Sequence, residues 1–219
     1  RGGERPCVSI FGHHWDKFNV EKPVEDDSPN GGTPMVIEGT TFSDAYSTAV
    51  QVTASGVKIR GNAVTNTTNG GFFVSGSANN ITDNVVFGVK DSYSNMFFDV
   101  GSFGYTLSGT GKWHRNIAAD VAYTAFRLDG RRCDADYAES LDPIDLPDVY
   151  DLRVYHAAIG VTLQAGENSV VTREPVDAYT PTICRQWSDV EIRGTWFYGV
   201  HISSTQLSGA IRIKRAHLW

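Results

Sequence analysis

Apolar residues in this chain fall in short alternating runs rather than helical stripes, and the runs recur on a beat. Ile37-Glu38-Gly39-Thr40-Thr41-Phe42, Ile59-Arg60-Gly61-Asn62-Ala63-Val64 and Ile81-Thr82-Asp83-Asn84-Val85-Val86 start at isoleucines 37, 59 and 81, a spacing of 22 residues twice over. Matching second segments, Ala49-Val50-Gln51-Val52 and Phe72-Phe73-Val74, lie between them. Short alternating segments on a fixed period of this size predict a stacked solenoid. One unit is too short to bury its own apolar face, so it must lie on its neighbours. The pattern predicts an all-β chain: a right-handed parallel β-helix over 34–219, with an irregular segment over 1–33 packing on it.

In such a fold each coil rises by the inter-strand spacing, about 4.8 Å, so equivalent residues stack. Asn62 and Asn84 are equivalent and Asn116 extends their row, which predicts an amide ladder along the axis. Gly61, Gly76 and Gly88 fall where the backbone must turn a corner. The beat is interrupted after the third coil and resumes at Trp113-His114-Arg115-Asn116-Ile117-Ala118, 32 residues after Ile81. Insertions are expected over 90–112, 131–148 and 165–186. The first carries Tyr93, Met96, Phe97, Phe98, Phe103 and Tyr105. Insertions on one side of a solenoid build its binding face or simply pack over its side.

Further coils follow at Val149-Tyr150-Asp151-Leu152-Arg153-Val154 and Trp187-Ser188-Asp189-Val190-Glu191-Ile192, and Ala210-Ile211-Arg212-Ile213 starts another strand. No polar capping segment closes the pattern at Trp219, so the stack is expected to be part of a longer one. Before the coils, only Cys7-Val8-Ser9-Ile10-Phe11 reads as a strand.

Composition narrows the function classes. A net charge of −6 over 219 residues lacks the basic stripe of a nucleic-acid binder. No apolar stretch approaches the roughly 18 residues of a membrane span, so no membrane contact is expected of this segment. Cys7, Cys133 and Cys184 have no CxxC spacing, and adjacent His13 and His14 cannot share one face of a strand. The acids of 134–151 lack the ligand order and glycine of a calcium loop. Neither a metal nor a cofactor is expected. Asn66-Thr67-Thr68 and Asn80-Ile81-Thr82 are N-glycosylation triplets, which together with a solenoid point to an extracellular setting.

The second half carries a resemblance. Ala125-Phe126-Arg127-Leu128-Asp129-Gly130-Arg131-Arg132-Cys133 resembles the aliphatic-Asp-Gly-x-x-Cys turn of the fibrocystin family, and Tyr155-His156-Ala157-Ala158-Ile159-Gly160-Val161 its His-x-x-x-x-Gly coil. Cys184 with Tyr198-Gly199-Val200 is similar to that family's next Cys and strand, and Phe42 to Val50 to its opening coil. The likeness runs over roughly residues 35–215. It implies a β-helix segment of a large cell-surface or ciliary protein, an arrangement shared with cell-surface hyaluronidases. It also implies a Cys133 to Cys184 disulfide, closing a loop of about 50 residues and stabilising by about 4 kcal/mol. Two separate thiols are the alternative.

Three functions remain open. A non-catalytic structural or adhesive segment would meet other extracellular copies or domains and glycans, and open strand edges would allow a homo-oligomer or fibre. A polysaccharide lyase or hydrolase would draw on Asp83, Asp99, Asp120 and Asp129 with Lys90, Arg115 and Arg127, yet no two acids recur at matched positions. No catalytic residue is therefore assigned. A carbohydrate-binding module would stack sugars on Tyr93, Tyr105, Trp113 or Trp196.

Overall fold

A computed structural model describes residues 7–11, 35–76, 78–90, 101–109, 111–130, 148–165, 183–188, 191–202, 210–214 and 217–218. Their strands pair in parallel, each with the strand one coil away. The result is a parallel β-helix. The first full coil holds β2 (Val36–Glu38), β3 (Thr41–Ser43) and β4 (Thr48–Thr53), with β1 (Val8–Phe11) paired beneath β4. The second holds β5 (Lys58–Arg60), β6 (Ala63–Thr67) and β7 (Gly70–Gly76). The third holds β8 (Asn80–Thr82), β9 (Val85–Val89) and β10 (Phe103–Gly109).

Above these, the second and third sides of each coil merge into one long bent strand. The fourth coil is β11 (Lys112–His114) and β12 (Ile117–Gly130), and the fifth is β13 (Asp148–Tyr150) and β14 (Arg153–Ala165). The sixth is β15 (Ile183–Ser188) and β16 (Glu191–Ile202), followed by β17 (Ala210–Lys214) and β18 (His217–Leu218).

Register puts like residues in columns. Ile37, Ile59, Ile81, Trp113 and Val149 form one, Phe42, Val64, Val86, Ala118, Val154 and Ile192 a second. A third runs Val50, Phe72, Tyr105, Phe126 and Val161. Within it Tyr105 stacks between Phe72 and Phe126 at centroid distances of 5.3 and 4.7 Å. Each such ring pair adds about 0.5–1.5 kcal/mol beyond the area it buries. Where two sides of a coil converge, the column Ala49, Gly71, Gly104, Ala125 and Gly160 admits only small side chains. A Cβ on Gly71 would lie 2.5 Å from the Gly104 carbonyl oxygen.

The insertions are narrower than the sequence suggests. Phe103–Gly109 is a regular rung between β7 and β12, so Phe103 and Tyr105 are core residues; eleven extra residues fall before them, and the turn after them is one residue shorter. Ile183–Ser188 likewise pairs with β13 and β17, which shortens the expected 165–186 insertion. The 131–147 stretch, the His13-His14 pair, Tyr93, Asp99 and most of 1–33 lie outside the described residues.

Candidate functional site

Two corners recur along the stack, each with a residue in the left-handed region. At the first corner these are Gly39, Gly61, Asp83, Arg115 and Asp151, with φ between 51° and 63°. The residue after each turns inward, and there the asparagines stand. Asn62 Nδ2 donates to Asn84 Oδ1 at 2.9 Å, and Asn84 Nδ2 donates to Asn116 Oδ1 at 3.1 Å. The same Oδ1 atoms accept the backbone N–H groups of Asn62 and Asn84, while all three Nδ2 groups reach a main-chain carbonyl of the coil below. Asn62, Asn84 and Asn116 are buried. Leu152 occupies the next position and ends the row.

A fourth buried amide, Asn79, closes another corner. It accepts from Val57 N–H and donates to the Ala54 carbonyl. Its column holds Val57 below and Gly111 above, so no repeat in the sequence marks it.

Outside the first corner, charges pair along the axis. Arg115 grips Asp83 with two bonds of 2.6 and 2.8 Å, holding that carboxyl below its ordinary range. Arg60 pairs with Glu38 and His114 with Asp148 across neighbouring coils, whereas Arg153 pairs with Asp151 within its own coil. The partner of Asp83 thus comes from the coil above it.

The second corner is different. Its left-handed residues are Asp44, Asn66, Gly88, Asp120, His156 and Gly194, and the non-glycine members face solvent. Asn66 Nδ2 donates to Asp44 Oδ1, and His156 Nδ1 lies 3.1 Å from Asp120 Oδ1. Just past this corner the register slips, so that two residues of β12 (Ala122, Tyr123) and two of β16 (Trp196, Phe197) oppose one of β14 (Ala158). Bulges of this kind re-aim side chains. Trp196 and Phe197 are both exposed, at 49% and 66%, and the Trp196 ring packs on His156 at 5.0 Å.

Beside this corner lies a groove of about 480 Å³. Its walls include Asn66, Phe87, Lys90, Asp120, Ala122 and Trp196. Among the stacking candidates from the sequence, Tyr105 and Trp113 are fully buried columns and Trp196 is on this groove. Of the acids, Asp120 lines it, whereas Asp83 is at the other corner, and the Asp129 side chain lies outside the described residues. Among the cations, Lys90 lines it. Among the described residues, no group of three or more His, Cys, Asp or Glu could hold a metal ion.

Of the two glycosylation triplets, Asn66 is exposed at the mouth of this groove, and Asn80 sits in β8, its Oδ1 accepting from Lys112 N–H at 3.3 Å. Cys133 and the Cys184 side chain lie outside the described residues, and Cys7 is a free, exposed thiol.

The columns and corners together define a parallel β-helix with one flank built for packing and one left open. No family model, no curated protein and no solved structure matches the chain.

Proposed function

We propose that this chain is a non-catalytic structural or adhesive segment of a large extracellular glycoprotein of the cell surface, cilium or matrix, with a repeat grammar similar to the fibrocystin family. The observation that carries the reading is the buried asparagine row, in which each coil's polar groups are satisfied by the next coil. A coil so tied cannot shift alone, because its neighbours would keep buried, unpaired donors and acceptors. That makes a stiff spacer. Glycans on Asn66 and Asn80 would decorate its sides, and the strand edges of the terminal rungs would receive further copies or flanking segments, giving a homo-oligomer or fibre.

The alternative is a lyase or hyaluronidase-like hydrolase. Hydrolysis by the two-carboxylate route needs a pair about 5–10 Å apart. Asp120 is the one carboxylate among the described groove residues, and it is already bonded to His156.

The test uses chain secreted from eukaryotic cells and has two readouts. Intact mass should fall on deglycosylation, and uronate polysaccharides should gain neither double-bond absorbance nor new reducing ends. Unchanged mass would remove the glycan claim. Turnover would overturn the non-catalytic one.

A further inference from the structure

The groove at the second corner has features that packing does not require. Trp196 and Phe87 leave 49% and 53% of their surfaces exposed beside it, although the interior of the same coils is closely packed. Exposed aromatics gathered around a concavity mark a binding surface. The ring of Trp196 is displaced outward by the β16 bulge and backed by His156, so it is held in place by the fold.

Beside the aromatic walls stand three polar groups on successive coils. Asn66 keeps Oδ1 as an acceptor after Nδ2 goes to Asp44, and Asp120 keeps Oδ2 after Oδ1 goes to His156. Lys90 adds a donor, and no ion pair joins it to another described residue. A hydroxyl both donates and accepts, so a polyhydroxylated ligand satisfies all three.

Length and charge narrow the ligand further. The lining runs from Asn66 on the second coil to Trp196 on the sixth, four steps of about 4.8 Å. One carboxylate against one ammonium leaves the groove near neutral. The strands on this flank are hydrogen-bonded to the coils above and below, so a peptide has no strand edge to join here.

We propose that this groove is a binding site for a neutral pyranose oligosaccharide, lying along the axis with one sugar ring stacked on Trp196. The apolar face of the ring meets the indole, and its hydroxyls donate to Asp120 and Asn66 and accept from Lys90. The proposal does not depend on whether the segment is catalytic. The groove is open where Asn80 alone carries a glycan, because one attached to Asn66 would enter it.

The experiment is calorimetric titration of the unglycosylated full chain with cello-, xylo- and manno-oligosaccharides, and separately with oligogalacturonates. At least one neutral series should bind, more tightly with length up to about four rings. Trp196→Ala should weaken it about tenfold and Asp120→Asn several-fold, while Trp196→Tyr keeps most of it. Phe197→Ala, in the same bulge but off the groove, should leave affinity unchanged and serves as the folding control. No neutral binding at millimolar ligand, binding indifferent to Trp196→Ala, or binding of uronates alone would each overturn the assignment.

Discussion

Two corners that recur along the stack solve one backbone problem in different company. Both need a left-handed residue, and both meet that need with a mixture of Gly, Asp and other polar types. At the first corner the next residue, in three successive coils, is a buried asparagine bonded along one row. At the second it is small or apolar, such as Ala45, Val89 or Val121, and polar chemistry is turned out to solvent as Asn66, Asp120 and His156. The first corner is repeated because repetition is what binds coils together. The second is free to vary, and the groove lies there.

That contrast can be broken by substitution. Asn84→Leu strips acceptors from the Asn62 N–H groups and donors from Ile59 O and Asn116 Oδ1. It should cost about 3 kcal/mol, or about 6–12 °C in melting temperature. His156→Asn, at the second corner, should shift stability by less than about 0.5 kcal/mol. Denaturant unfolding of both variants reads the difference. Equal losses would erase the distinction between the corners.

Backbone strain should come next in size. Gly61 has φ +63° with open space around its Cα, so Gly61→Ala meets no clash and should cost only the left-handed penalty, about 1–2 kcal/mol. Gly61→Asn should recover most of it, since Asn tolerates that region. A full recovery by Val instead would mean that the corner is not left-handed.

The interior gives a third prediction, independent of both corners. Tyr105 donates to the Ile117 carbonyl at 3.1 Å, and burial pushes its phenol well above its ordinary value. Tyr105→Phe should cost about 1 kcal/mol. In the wild type this phenol stays protonated while its unfolded counterpart ionises near pH 10, so stability should decline as pH rises above about 10. Phenolate absorbance followed with unfolding tests the sign. Wild type and Tyr105→Phe that lose stability in parallel above that pH would contradict it.

The smallest effect belongs to the surface pairs. Arg115→Ala should cost no more than about 0.2–1 kcal/mol at neutral pH, because both partners are exposed. The Asp83 carboxyl is depressed in the fold by the Arg115 bond, so this contribution is present above the ordinary value of about 3.9. It is lost as pH falls through the folded value, and the variant and wild type should converge there.

Much of the stack is legible in the amino-acid string because its columns repeat residue type as well as position. Ile37, Ile59 and Ile81 keep an unbroken spacing and occupy one column in β2, β5 and β8. Tyr105 is harder to read, since the eleven extra residues before β10 shift it off the beat and its glycine- and aromatic-rich setting looks like a loop. Trp113 resembles a sugar platform in isolation, yet it lies buried in a column between Ile81 and Val149. The second corner escapes detection for a physical reason. Asp, Asn, Gly and His all accept a left-handed backbone, so the conformation repeats while the letters do not. The groove joins residues from the second to the sixth coil, and a bulge that nothing local announces turns Trp196 toward it.

The fold consists of coils stacked in register, and spin-label distances test that stacking most directly. Ser43, Ala119 and Arg193 share one outward column, with Ala119 three and Arg193 five coil steps from Ser43. Labels at Ser43 and Ala119 should be about 14 Å apart, and labels at Ser43 and Arg193 about 24 Å. Separations that do not lengthen by about 10 Å from the first pair to the second would contradict the stack, and with it the ladder and the groove.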